Sequence, residues 1–278
     1  MKFDYYSPIA CMSVVLVMAH SQTVQALSPN QISNIAKEIT VLIDGQNPAS
    51  GVIIARKGSI YYVLTAKHVV QVPDEYEIVT PDKKRYRLNY NTVTKMPEVD
   101  LAVVQFNSDR NYKIARLTDS NEATEGSPVY IAGWPNPGRE IKNRIYQFTT
   151  GQISGRPKPA LRDGYGLVYT NITRAGMSGG PVLDLNGRLI GIHGRAEAEA
   201  EEIRINESGL NRSWKIGFNL GIPINIFLKL TRRVGIDLDL QIHNSVEANS
   251  PSSSSFTRPE IIRPSNSINT PVCAGRRC

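Results

Sequence analysis

From residue 40 to about residue 221 the chain alternates short apolar, β-branched runs with turn signals. The runs 40–45, 50–56, 60–66, 75–80, 85–89, 100–106, 127–134, 145–154, 166–172, 181–185, 188–194 and 215–221 read as strands. Val, Ile, Tyr and Thr recur in them, and such side chains fit a pleated, half-buried surface. Asn186-Gly187, between two of the runs, predicts a two-residue hairpin. Helical signals stand at the two ends of this region. SPNQISNIAKEI (28–39) opens with Ser28 before Pro29, a helix start. PINIFLKLTRRVG (223–235) puts Ile224, Phe227, Leu228 and Leu230 on an apolar face, with Pro223 at the first helical position. The pattern predicts an all-β barrel or sandwich flanked by two short helices.

Outside that region the pattern changes. Residues 8–19, PIACMSVVLVMA, form an apolar stretch after Lys2 that is short for a membrane span, and VQA (24–26) fits a signal-peptidase site. We expect a signal peptide over 1–26 with export of the remainder, a retained N-terminal anchor being the alternative. The compositional shift near 242 predicts a disordered Ser/Pro-rich tail over 242–278. AEAEAEEIRINES (196–208) is an acidic insertion in a basic chain, expected to be a solvated hairpin or helical loop.

Composition narrows the function classes. With 32 Lys+Arg against 25 Asp+Glu the net charge is +7, but KKRYR (83–87) is the densest basic run and no aromatic-interleaved basic stripe accompanies it. A solvated basic face is expected, with no nucleic-acid partner and no membrane partner after signal cleavage. The three Cys are Cys11, Cys273 and Cys278, so a disulfide-dense scaffold is excluded; the last two can pair only outside a reducing compartment. The four His are scattered and no CxxC occurs, so no metal site and no cofactor are expected. Trp134 and Trp214 read as packing residues.

Three strand-end segments carry chemistry: LTAKHVV (64–70), EVDLAVV (98–104) and GMSGGPV (176–182). They supply His68, Asp100 and Ser178. A serine hydroxyl is a poor nucleophile until an imidazole takes its proton, and the imidazole needs a carboxylate to fix its tautomer and hold the imidazolium. Attack on a carbonyl builds charge on its oxygen, and the backbone N–H groups of Gly176 and Ser178 are candidates for that oxyanion hole. The chain order His, Asp, Ser separates this trio from those of subtilisins and α/β-hydrolases.

On these residues the chain resembles chymotrypsin/trypsin-like serine proteases over roughly 40–235. GMSGGPV is similar to the family's GxSGGP nucleophile loop, TAKHVV to its TAxH motif and VDLAVV to its Asp-bearing strand. GMSGGPV, GIHGR and GIPI together resemble bacterial members: cyanobacterial trypsin-like, HtrA-type and glutamyl-endopeptidase-type proteins. The resemblance implies two antiparallel six-stranded β-barrels within a protease domain over 27–241. Barrel one would span about 40–115 and barrel two about 122–222, followed by a C-terminal helix (223–235). His68 and Asp100 fall in the first barrel and Ser178 in the second. The implied activity is an exported serine endopeptidase acting on a protein or peptide substrate through an acyl-enzyme.

Departures from the digestive members matter. Met177 stands where trypsin-type zymogens carry the Asp that binds a freed N-terminus, and a thioether cannot make that ion pair. Residues 242–278 are too few for the peptide-binding PDZ domain that HtrA-type proteins add. Ile172 occupies the place of trypsin's pocket Asp, so no preference for Lys or Arg is expected. Thr173 and His193 match the pair with which glutamyl endopeptidases grip an acidic side chain, and Gly194 follows on the strand that pairs with substrate. Arg174 and Arg195 lie nearby. Two readings of His193 stay open: an acid-recognising pocket residue, or a structural histidine on the strand. The rival to the whole activity is a catalytically inactive barrel that binds peptides along the 194–196 edge. Oligomeric state is not legible.

Overall fold

The structure is a computed structural model that describes residues 26–198, 215–238 and 240–243. The expected signal peptide up to residue 25, most of the acidic insertion, Trp214, both C-terminal cysteines and nearly all of the expected tail lie outside the described residues.

Helix α1 (Pro29–Ile39) begins where the sequence predicts. The Ser28 hydroxyl accepts the Gln31 N–H while the Gln31 side chain accepts the Ser28 N–H, a reciprocal cap that satisfies two donors the helix start leaves free. Ile32, Ala36 and Ile39 form its buried face.

Seven strands follow: β1 (Thr40–Asp44), β2 (Ala49–Lys57), β3 (Ile60–Thr65), β4 (Glu77–Val79), β5 (Arg85–Arg87), β6 (Thr94–Lys95) and β7 (Ala102–Asn107). They pair in the order β5-β4-β1-β2-β3-β7-β6, every pair antiparallel. The expected first barrel is therefore a seven-stranded sheet curled into a half-barrel, with β5 and β6 unjoined at its edges. The two-residue β6 was absent from the sequence expectation because two residues carry no periodicity.

The second unit closes. Strands β8 (Pro128–Gly133), β9 (Gln147–Gly155), β10 (Leu167–Tyr169), β11 (Pro181–Leu183), β12 (Leu189–Ala198) and β13 (Lys215–Pro223) form a six-stranded barrel in the order β10-β13-β12-β11-β8-β9. The β11–β12 hairpin differs from the two-residue expectation. The Asp184 N–H bonds to Arg188 O at 2.9 Å and the Gly187 N–H to Asp184 O at 3.0 Å, enclosing three residues that end on Gly187 at φ +67°. A tight turn followed by one left-handed residue makes this longer loop.

Helix α2 (Ile224–Arg233) packs Ile224, Phe227, Leu230 and Thr231 inward, while Leu228 is only partly buried. Pro223 ends β13 and sits one position before the first helical residue, a one-residue correction of the expected start. The chain then returns: the Leu117 N–H donates to Gln241 O and the His243 N–H to Leu117 O, both at 2.7 Å. Residues 241–243 are thereby held to the barrel. One apolar core joins Val52, Leu64 and Val103 of the first sheet to Leu183, Ile192 and Ile222 of the second, with Ile32 and Phe227 from the helices. Each large side chain fully buried there contributes about 1.5–3 kcal/mol.

Candidate active site

Antiparallel pairing of β3 with β7 sets Thr65 opposite Ala102, so the residues just past Thr65 and just before Ala102 meet. His68 lies in a 3-10 turn (Lys67–Val70) immediately after β3, and Asp100 lies two residues before β7. The Lys67 N–H donates to Asp100 O at 3.1 Å, the His68 N–H to Asp100 Oδ1 at 2.9 Å, and His68 Nδ1 lies 2.7 Å from Asp100 Oδ2. The Tyr165 hydroxyl donates to that same Oδ2 at 2.6 Å.

Burial alone pushes the Asp100 carboxyl up. The bond and charge of His68, the Tyr165 hydroxyl and the His68 backbone N–H outweigh it and hold the carboxyl below the usual Asp range. An ionised carboxylate only accepts, so the ring proton facing it sits on Nδ1, and in the neutral imidazole that tautomer leaves the lone pair on Nε2.

Ser178 comes from the other unit, on the loop between β10 and β11. That loop is fastened to the first sheet through Ser50 of β2. The Ser50 N–H donates to Ser178 O at 2.9 Å, and its hydroxyl donates to Gly176 O at 2.8 Å while accepting the Trp134 N–H at 2.9 Å. The fit is close enough that a side chain at Gly179, whose φ is +84°, would strike Ser50 O and Thr65 Oγ1. Gly176 takes φ +95° in a turn closed by the Met177 N–H to Arg174 O at 3.1 Å. Among the described residues, no protein group accepts the N–H of Gly176 or of Ser178. Met177 is fully buried in the barrel interior with Val129, Ile131 and Val182. In the sequence Ser50 is only the start of a strand, and nothing in its neighbours marks it as a clamp.

The Ser178 hydroxyl donates to Gly194 O at 2.7 Å, and no hydrogen bond joins it to His68 among the described residues. Gly194 touches the Tyr165 ring, Tyr165 holds Asp100, and Asp100 holds His68. Of the three sequence-predicted residues, His68 and Asp100 are directly bonded, and Ser178 is linked to them only through Gly194 and Tyr165. A cavity of about 350 Å³ opens beside His68 and Asp100, lined also by Lys67, Asp163 and Arg195.

Thr173 and His193 are held by different partners. His193 is 2% exposed, with Nδ1 2.8 Å from the Tyr169 hydroxyl; its N–H donates to Gly180 O and its carbonyl accepts the Gly179 N–H. The Thr173 hydroxyl donates to Asn219 Oδ1, and Asn219 Nδ2 donates to Asn171 O. Arg174 lies against Gly138, and Ile172 is 78% exposed. No cluster of three or more metal-ligating side chains occurs among the described residues.

The family profile described as "Trypsin-like peptidase domain" matches residues 49–192, just over half of the chain. A probable periplasmic serine endoprotease DegP-like of Pseudomonas putida is 27% identical over 196 residues, 70% of this chain and 36% of the relative. The serine protease Do-like HtrA of Lactococcus lactis subsp. cremoris is 26% identical over 194 residues, 68% of this chain and 45% of the relative. The periplasmic serine endoprotease DegP of Salmonella typhimurium is 29% identical over 189 residues, 66% of this chain and 35% of the relative. The chain therefore spans less than half the length of these relatives. Among solved structures, the HtrA-type protease AlgW with tripeptide aligns with a TM-score of 0.58 at 23% identity, covering 76% of this chain and 64% of that one. That likeness supports the chymotrypsin-like fold, and the profile match settles the wider relationship: the chain belongs to the trypsin-like peptidase domain family.

Proposed function

We propose that the protein is an exported serine endopeptidase, with Ser178 as nucleophile, His68 as general base and then acid, and Asp100 as its orienting partner. The observation that carries this reading is the Asp100 carboxyl bonded through both oxygens to His68. In this reading, rotation about χ1 frees the Ser178 hydroxyl from Gly194 O and brings it to Nε2. The proton passes to the imidazole as oxygen attacks the peptide carbonyl. The N–H groups of Gly176 and Ser178 receive the oxyanion, a contribution of about 2.7–4 kcal/mol per donor. The imidazolium returns its proton to the leaving amine, and water repeats the sequence on the acyl-enzyme.

Peptide as the substrate class is supported by AlgW, whose structure contains a tripeptide. Export is supported by the relatives of P. putida and Salmonella, which are named periplasmic endoproteases. The finer reading is a preference for an acidic residue before the scissile bond. Arg174 and Arg195 favour it electrostatically. In it Thr173 and His193 grip the carboxylate together, the Thr173 hydroxyl turning from Asn219 Oδ1 to donate to it while Tyr169 holds His193 through Nδ1. A peptide library exposed to the wild-type chain and to Ser178→Ala tests both levels. Cleavage by the wild type alone supports the peptidase, and enrichment of Glu and Asp before the cut, lost in Thr173→Val, supports the preference. An even residue distribution before the cut refutes the preference.

One observation favours a second reading, a peptide-binding module along 194–196: the Ser178 hydroxyl is engaged with Gly194 O. Library peptides retained with equal affinity by wild type and Ser178→Ala, and never cut, are its signature.

A further inference from the structure

Asp100 has one partner more than orienting an imidazole requires. Its Oδ2 accepts two donors, His68 Nδ1 at 2.7 Å and the Tyr165 hydroxyl at 2.6 Å. Tyr165 is fully buried. Burial, and then its bond to Asp100, push the phenol far above the ordinary tyrosine value, so the hydroxyl keeps its proton and remains a donor.

The surroundings are shaped to this ring. A side chain at Gly194 would run into the Tyr165 ring and hydroxyl, so the ring fills space that any larger residue on β12 would occupy. The next residue, Arg195, lays its guanidinium over the ring face at 4.6 Å from the centroid, a cation–π contact at the edge of the cleft. From the same segment as Tyr165, Asp163 O accepts the Asp100 N–H at 2.9 Å. Residues 163–165, just before β10 of the closed barrel, therefore hold both the backbone and the carboxylate of an aspartate that belongs to the first sheet.

We propose that Tyr165 is a positioning residue for His68: its hydroxyl fixes the rotation of the Asp100 carboxylate and draws charge from Oδ2, setting the direction and strength of the bond to Nδ1. Gly194 admits the ring and Arg195 covers it. The proposal rests on the serine peptidase reading. It predicts more than a buried hydroxyl satisfied by its nearest acceptor would, because it reaches the proton on the imidazole.

The test is Tyr165→Phe, which keeps the ring and its contacts with Gly194 and Arg195 and removes the donor. The charged and titratable groups facing the pair are His68 from the turn after β3, Asp163 from the loop before β10 and Arg195 from β12, with Lys67 on the same cleft. Without the phenol, Oδ2 carries more charge toward Nδ1 and the imidazolium is better held. The acid limb of kcat/KM is expected to move to higher pH, while kcat falls by about tenfold with KM unchanged, because a carboxylate free to rotate no longer fixes the direction of the imidazole and this loss outweighs the better-held imidazolium.

A second readout does not depend on turnover. In the Ser178→Ala chain, the proton between Nδ1 and Oδ2 is followed by its downfield NMR resonance, which is expected to move when Tyr165→Phe is added. Tyr61→Phe serves as control: it removes a buried phenol that donates to Arg110 O at 2.7 Å in the first sheet's core, and should cost stability with the acid limb unmoved. A moved resonance together with no peptidase activity in the wild-type chain upholds the positioning role and overturns the peptidase reading. An unmoved resonance and acid limb in folded Tyr165→Phe overturn the positioning role.

Discussion

Ser50→Ala removes a single hydroxyl, and the structure fixes what that costs. The Ser50 side chain is fully buried and bridges two backbone groups, donating to Gly176 O at 2.8 Å and accepting the Trp134 N–H at 2.9 Å. Alanine orphans both, and the space left by one hydroxyl is too small to admit water. Each buried group left unsatisfied costs about 1–3 kcal/mol. With Trp134 only partly buried, about 3 kcal/mol is expected in total, which lowers Tm by about 6–12 °C in a domain of this size. The backbone bond from Ser50 N–H to Ser178 O remains, so the loop stays docked while the Gly176 peptide loosens. Labelling of Ser178 by a fluorophosphonate should then slow by about tenfold at a temperature where the variant is fully folded. Thermal unfolding and labelling kinetics on the same preparation check both figures. A Tm within about 2 °C of wild type, with an unchanged labelling rate, would refute the view that this serine clamps the nucleophile loop.

Thr118→Val should behave in the opposite way, because the fully buried Thr118 hydroxyl has no hydrogen-bond partner among the described residues; Tm is expected to hold or to rise by the equivalent of about 1 kcal/mol. Asp100→Asn preserves size but presents a donor or a neutral acceptor to Nδ1. Peptide hydrolysis should fall by about 10⁴ while Tm changes far less than activity. Asp82, Asp100 and Asp119 are all held below the ordinary carboxylate value. Burial opposes the shift at Asp82 and Asp100 and is outweighed by hydrogen bonds, whereas at Asp119 the Asn121 N–H and the Asn225 side chain lead it. On acidification the unfolded chain takes up these protons first, so the stability they supply is whole above about pH 4 and drains away as pH falls through the lower folded values. Tm measured from pH 7 to pH 2 should be level and then drop, and a Tm that rises below pH 4 would contradict the sign.

The strands were legible because β-branched and aromatic residues mark them wherever they run for five or more residues, as in β2, β3 and β7. Ser28 and Pro29 marked α1 through capping chemistry that is local in sequence. Closure of a sheet is not local. Whether β5 and β6 meet depends on tertiary curvature, and the expected first barrel is open there. The same limit governs the site. His68, Asp100 and Ser178 stand in short motifs whose residue types announce nucleophilic chemistry. Ser50 and Tyr165 do not: one is a serine at a strand start and the other a tyrosine in a loop, and each gains its role from a partner far away in sequence. Gly194 marked the substrate-pairing strand, yet its closest structural constraint is the Tyr165 ring.

Reactivity at Ser178 tests the central claim most directly. The purified chain, treated with a fluorophosphonate and digested, is mapped by mass spectrometry beside His68→Ala and Ser178→Ala. The account predicts one adduct, on Ser178, lost in both variants although each remains folded. An unlabelled wild type of intact fold, or labelling that persists in His68→Ala, would contradict it.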